Sequence, residues 1–207
     1  MIEREKALPE GERMDVMAVC TPNHAHFDPS RLALENGFHV VSDKPLTHNT
    51  GDARKLVDLV NKTGLIFAVT HAYTGYPMVK EAREIVRSGK LGKIRKIVSE
   101  YPQGWLSEPM DDPGHMQAAW RLDPDKSGRS NCMGDIGTHA LNLAEYISGL
   151  NVTEVCADVS IMVPGRKLDD DGNVLVRFDN GARGIIYASQ VSAGEENGLK
   201  IRVYGEY

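Results

Sequence analysis

Residues 15–45 read DVMAVCTPNHAHFDPSRLALENGFHVVSDKP, and the order of elements in this stretch decides the fold class. Asp15 to Cys20 is a short, mostly apolar run that stops at Thr21-Pro22, which predicts a buried strand ended by a proline. Asp28-Pro29-Ser30 then offers an N-cap followed by proline at the first helical position. The helix carries Leu32 and Leu34 and stops at Asn36-Gly37, where glycine supplies a left-handed residue. Phe38 to Val41 reads as a second strand, halted by Ser42-Asp43-Lys44-Pro45. The rhythm continues outward. Ala53, Leu56, Val57 and Val60 form a helix face, Gly64 ends that helix, and Leu65 to Thr70 reads as a third strand. Met78, Ala82, Ile85 and Val86 mark another helix, closed at Ser88-Gly89. Strand, helix and strand at this spacing imply βαβ crossovers and a parallel sheet.

Beyond Lys90-Gly92 the rhythm changes. Ile94 to Tyr101 reads as a strand, and residues 102–131 are too long and too polar for an idle connection. Ile136, Ala140, Leu143, Ala144 and Ile147 predict an amphipathic helix closed by Gly149. After it the period becomes two, with Val155, Ala157, Val159, Ile161 and Val163, then Val174, Val176 and Phe178. Asp179-Asn180-Gly181 is the best hairpin signal in the chain. Gly184 to Ser189 returns, and Leu199, Ile201 and Val203 form a last strand. The expected boundaries are a parallel α/β domain over 1–90 and an α+β domain with a mostly antiparallel sheet and one main helix over 91–207. Both ends read as cuts through a larger architecture.

Composition narrows the function. The 207 residues carry 24 Lys+Arg against 29 Asp+Glu, a net charge of -5, which argues against nucleic acid and basic membrane anchoring. No apolar run approaches the ~20 residues that span a bilayer, and the charged N-terminus has no apolar signal region. Cys20, Cys132 and Cys156 are odd in number and widely spaced, which fits a reducing cytoplasm and not a disulfide scaffold.

Chemistry has three candidate places. The turn Thr21-Pro22-Asn23-His24-Ala25-His26 follows a parallel strand, where open α/β sheets bind ligands. Asn23 and His26 offer donors and acceptors there, although taken alone the motif reads first as a proline-led structural turn capped by Asn. Lys44 also follows a strand, and Pro45 holds it out of the α region. A lysine in a crevice stabilises a developing alkoxide; in a plain loop it is solvated. Asp135 and His139, four apart, share a helix face beside Ile136, Ala140 and Leu143. Such a pair can exchange protons near neutral pH, or serve as a cap and a core-edge histidine. Metal ligation lacks a third ligand at sensible spacing.

Order and spacing together are more specific than any one signal. T-P-N-x-x-H at 21–26, D-K-P at 43–45 after G-x-H-V, and G-D-I-G-T-H at 134–139 resemble the Gfo/Idh/MocA oxidoreductases, relatives of glucose–fructose oxidoreductase and inositol dehydrogenase. The stretches at 70–77, 120–121 and 196–205 resemble one bacterial branch of that family. The resemblance implies a Rossmann domain for NAD or NADP and a C-terminal domain that carries the substrate and a homo-oligomer interface on its sheet. It implies that His139 takes a hydroxyl proton, that Lys44 stabilises the alkoxide-like transition state, and that Asp135 orients substrate or histidine. Lysine and imidazole would meet across a cleft around one alcohol carbon of a sugar, inositol or related polyol. Thr21, Pro22, Asn23, His26, Asp43 and Lys44 would lie against the cofactor, and Tyr73, Trp120 and Arg121 against the substrate. Asp43, a shorter carboxylate, stands where the family pattern has glutamate.

No G-x-G-x-x-G occurs in the sequence. The family's glycine-rich turn, which lets a backbone and a helix N-terminus approach pyrophosphate, is expected upstream of Met1. The 207 residues are therefore expected to be a fragment that binds NAD(P) weakly, is inactive by itself and dissolves poorly. A reading from another class keeps the fold but makes the protein a non-catalytic binding or interaction subunit.

Overall fold

The computed structural model describes residues 1–9, 11–108 and 120–207, and its contacts group them into two compact units. The first unit comprises Met1–Thr70 and Asp123–Arg129. A parallel sheet runs through it in the order β1 (Val16–Val19), β2 (His39–Ser42) and β3 (Phe67–Val69). Three helices precede or link these strands: α1 (Ile2–Lys6), α2 (Phe27–Glu35) and α3 (Thr50–Thr63). Met17, Val19, Ala33, Leu34, Phe38, Val40 and Leu56 form its core. A fully enclosed side chain of the size of Phe38 or Leu34 contributes about 2–3 kcal/mol.

Local sequence accounts for the helix ends. Asn49 caps α3 by accepting a 2.8 Å hydrogen bond from the Asp52 N–H, and Gly64 closes it at φ +68°. The start of α2 differs from expectation. It begins at Phe27, one residue before Asp28, which therefore lies in the first turn and not at the cap. The preceding residue, His26, turns its ring toward two backbone carbonyls, so α2 has no side-chain cap, and the Asp28 charge serves the helix dipole instead.

The second unit comprises His71–Leu122 and Ser130–Tyr207. Its helices are α4 (Pro77–Arg87) and, after the short α5 (Pro124–Ser127) of the first unit, α6 (Thr138–Ser148). Its five strands are β4 (Lys96–Pro102), β5 (Val152–Ser160), β6 (Asp171–Phe178), β7 (Arg183–Ser189) and β8 (Lys200–Tyr204). They lie in the order β5-β6-β7-β4-β8, antiparallel except for β4 beside β7. Helix α4, read with the first half of the sequence, packs on α6, and Arg83 stacks 4.2 Å from the Tyr146 ring. Val86 joins the core while Met78 is 76% exposed, so the inward face of α4 lies one position away from Met78. The hairpin at Asp179-Asn180-Gly181 joins β6 to β7 as expected, with Gly181 at φ +88°.

The alternating run in β5 departs from expectation in two ways. The strand stops at Ser160, before Ile161 and Val163, and its apolar row is not covered: Val155 is 67% exposed. β5 is an edge strand, and α6 packs on β4, β7 and β8. Alternation alone tells which residues share a face, not whether a helix reaches it.

Candidate functional site

In the first unit the chemistry-bearing residues gather at one sheet edge. Val19 pairs with Ser42 and Ser42 with Val69, so the carboxyl ends of β1, β2 and β3 are level. The 21–26 turn, the 43–45 loop and Thr70 all leave from that edge, the position where parallel sheets take ligands. His26 is fully buried and ties two of these segments together: Nδ1 lies 2.7 Å from the Pro45 carbonyl and Nε2 2.7 Å from the Thr21 carbonyl. Asn23 is buried too, and its Nδ2 donates to the Ser127 carbonyl at 3.3 Å. Thr21 Oγ1 donates to the Ala25 carbonyl. Asp43 accepts from the Lys44 N–H and from Thr70 Oγ1, both at 2.9 Å on Oδ1. The Lys44–Pro45 peptide is cis.

Thus the sheet brings Thr21, Pro22, Asn23, His26, Asp43 and Lys44 to one edge. His26 and Asn23 hold backbone there, while Pro22, Lys44 and the exposed Thr21 line its rim. That rim presents a cation from Lys44 and a turn from Thr21-Pro22. A pyrophosphate cradle would need glycine-rich backbone that the sequence does not contain.

In the second unit a five-residue π-helix, Met133–Gly137, leads into α6 and carries Asp135. Such wide turns recur at functional sites. The segment is held by residues distant in sequence. Asp169 accepts from the Asn131 N–H at 2.8 Å, the Met133 N–H at 2.8 Å and Ser130 Oγ at 3.1 Å, and so caps the turn. Asp135, read from sequence as a possible cap, is released from that duty. A Cβ at Gly137 would come within 2.7 Å of the Met133 Cε, so the glycine lets the end of that thioether pack against the turn.

Asp135 Oδ2 accepts from Arg121 Nε at 3.3 Å and from Gln190 Nε2 at 3.0 Å. The Arg121 guanidinium stacks 4.3 Å from the Trp120 ring. His139 is 8% exposed, with Tyr73 edge-on at 4.8 Å, His71 at 6.1 Å and Tyr101 at 6.2 Å between ring centroids. The Tyr73 and Tyr101 hydroxyls share a short hydrogen bond, and Tyr101 donates onward to Asn197 Oδ1 at 2.5 Å. Burial, then the Tyr73 hydroxyl, then the Asp135 charge push the Tyr101 phenol well above its usual range, so it stays neutral and a donor. Burial, followed by the carboxylates of Asp169 and Asp171, likewise pushes the Cys132 thiol up, which makes it an inert core residue.

Of the sites read from sequence, the second unit therefore pairs Tyr73 with His139, Arg121 with Asp135, and Trp120 with Arg121. The sequence does not announce Asn131, Asp169 and Gln190. Each is a polar residue without a motif, and only its burial, complete for Asn131 and Gln190, marks it. Among the described residues no group of three His, Cys, Asp or Glu side chains could hold a metal ion, and no helix is long and apolar enough to cross a membrane.

Comparison with known proteins bears on both units. Residues 3–71 match the family model described as an oxidoreductase family with an NAD-binding Rossmann fold, and residues 79–207 match the GFO/IDH/MocA C-terminal domain. The chain is 31% identical over 201 residues to the uncharacterized oxidoreductase YfiI of Bacillus subtilis, covering 95% of this chain and 51% of that protein. It is 27% identical to levoglucosan dehydrogenase of Pseudarthrobacter phenanthrenivorans, over 97% of this chain and 55% of that one. Among solved structures, an inositol dehydrogenase homolog from Azotobacter vinelandii complexed with NAD+ superposes with a TM-score of 0.92 at 33% identity, covering 99% of this chain and 52% of that one. The chain thus spans about half the length of the relatives it matches. With a family model on each side of residue 75 and the sequence motifs at the sheet edge and at the start of α6, the chain belongs to the Gfo/Idh/MocA family of oxidoreductases.

Proposed function

We propose that the protein is an NAD(P)-dependent dehydrogenase that oxidises a CH–OH group of a sugar, inositol or related polyol. The observation that carries this reading is the setting of Asp135 and His139. A carboxylate held by a guanidinium and a carboxamide stands four residues before an imidazole enclosed by aromatic rings. Relatives named as levoglucosan and myo-inositol dehydrogenases, and an Azotobacter vinelandii homolog complexed with NADH and myo-inositol, support it.

A bound nicotinamide supplies the hydride acceptor. His139 takes the substrate hydroxyl proton as the C–O bond becomes a carbonyl. Lys44 places a positive charge against the oxygen on which negative charge develops. Asp135 and Arg121 orient substrate hydroxyls, Trp120 and Tyr73 provide flat walls for a sugar ring, and Tyr101 keeps the Tyr73 hydroxyl fixed. Thr21, Pro22 and Lys44 form the cofactor rim, whose support is the His26 clamp. Either NAD or NADP is accommodated by this reading.

A homo-oligomer through the second unit's sheet is part of the same proposal. Leu175, 59% exposed, and Cys156, its exposed neighbour on β5, share the face opposite buried Val176 and leave apolar surface on β5 and β6 that a second copy would cover. Light scattering of the full-length protein at micromolar concentration reads this directly.

The test is reduction of NAD and NADP by the full-length protein against inositols, levoglucosan and simple sugars. His139→Gln and Lys44→Ala are each expected to lower kcat by about 10²–10⁴-fold. Wild-type turnover in both variants, or no nicotinamide reduction with any polyol, overturns the proposal.

A further inference from the structure

A chain of two buried amides ends on Asp135. Asn131 Nδ2 donates to Gln190 Oε1 at 2.7 Å, and Gln190 Nε2 donates to Asp135 Oδ2 at 3.0 Å. Both amide residues are fully buried. The direction of this chain follows from chemistry. An ionised carboxylate only accepts, so Gln190 must turn its NH₂ to Asp135 and its oxygen to Asn131. Asn131 must then present its NH₂ to Gln190, which points its own oxygen away. That oxygen, Asn131 Oδ1, is buried with no hydrogen-bond partner among the described residues. An unpaired buried acceptor is destabilising. Reversing both amides would set the Gln190 oxygen against the Asp135 carboxylate, acceptor against acceptor. Delivery of a donor to an anion explains the arrangement.

We propose that Gln190 is a positioning residue for Asp135: with Asn131 behind it, its carboxamide holds the Asp135 carboxylate ionised and aimed beside Arg121. Gln190 itself is anchored at both ends of its backbone. Its N–H donates to the Asp170 carbonyl at 2.9 Å, and its carbonyl accepts the Leu106 N–H at 3.0 Å. The carboxamide is thus delivered by the residue just past β7, on the far side of the second unit's sequence from Asp135.

The catalytic arm of the test rests on the dehydrogenase reading; a spectroscopic arm does not. Gln190→Met keeps the shape and removes the donor. In the full-length protein its kcat is expected to fall about 10²-fold through misplacement of Asp135, with the KM for nicotinamide cofactor unchanged. In ¹³C-carboxyl NMR titration of the same protein, the Asp135 midpoint is expected to rise by about one pH unit on loss of the donor. Arg121, Tyr101 from β4 and Cys132, which also interact with Asp135, are common to wild type and variant. Should Gln190→Met fold poorly, Gln190→Glu keeps the bond from Asn131 but sets an acceptor against Asp135, and its Asp135 midpoint should rise further. An Asp135 midpoint equal to wild type in a folded variant overturns the proposal whether or not the protein turns over a polyol. A raised Asp135 midpoint in the variant, with no polyol oxidation by the wild type, leaves the positioning role of Gln190 standing and removes only the dehydrogenase reading.

Discussion

The 21–26 turn and the 130–139 segment use buried polar side chains for opposite ends. In the first, side chains hold backbone: His26 joins the Thr21 and Pro45 carbonyls, and Asn23 reaches the Ser127 carbonyl. Their chemistry is spent on placing the loops around Lys44. In the second, buried side chains hold another side chain: Asn131 and Gln190 lead to Asp135, while Asp169 takes over the cap. A histidine in a motif is therefore no guide to whether its ring meets a ligand. The partners of its nitrogens decide that.

The contrast can be broken by experiment. Its largest expected effect is on stability in the first unit. His26→Leu removes the ring that bridges the Thr21 and Pro45 carbonyls and should cost about 1–3 kcal/mol in urea denaturation. Loss of activity without loss of stability would show the ring to be a ligand-facing group instead. The second effect sharpens the role of Asp169. Asp169→Asn weakens three hydrogen bonds at the start of the π-helix and should cost about 1–2 kcal/mol, measured the same way. A still smaller effect comes from an ordinary surface cap. Asn49→Ala should cost about 1 kcal/mol. Its pH dependence has a definite sign. The Lys55 ammonium, then Asn49, hold the Asp52 carboxyl below its usual range. That contribution is present above about pH 4, the unfolded value, and fades as pH falls through the lower folded value. Acid titration of stability should therefore be shallower in the Asn49→Ala variant.

The legible part of the molecule is the part set by short-range rules. Apolar runs ended by Pro22 and Pro45, the glycines at 37, 64 and 149, and the Asp179-Asn180-Gly181 hairpin place the strands and helices to within a residue or two. Lys44, Asp135 and His139 were legible because their motifs lie next to such landmarks. The start of α2 was not, because His26 was drawn into a contact with Pro45 that no local pattern announces.

By itself the sequence determined which elements form, in what order, and which family-like residues end up at the sheet edge and at the head of α6, since propensity, capping and periodicity act within a few residues. Tertiary structure alone decided what those residues can do. Whether the apolar row of β5 is covered depends on where α6 lies, and whether Asp135 is oriented depends on Gln190, 55 positions along the chain. Burial and hydrogen bonding are properties of neighbours in space, and chain distance does not encode them.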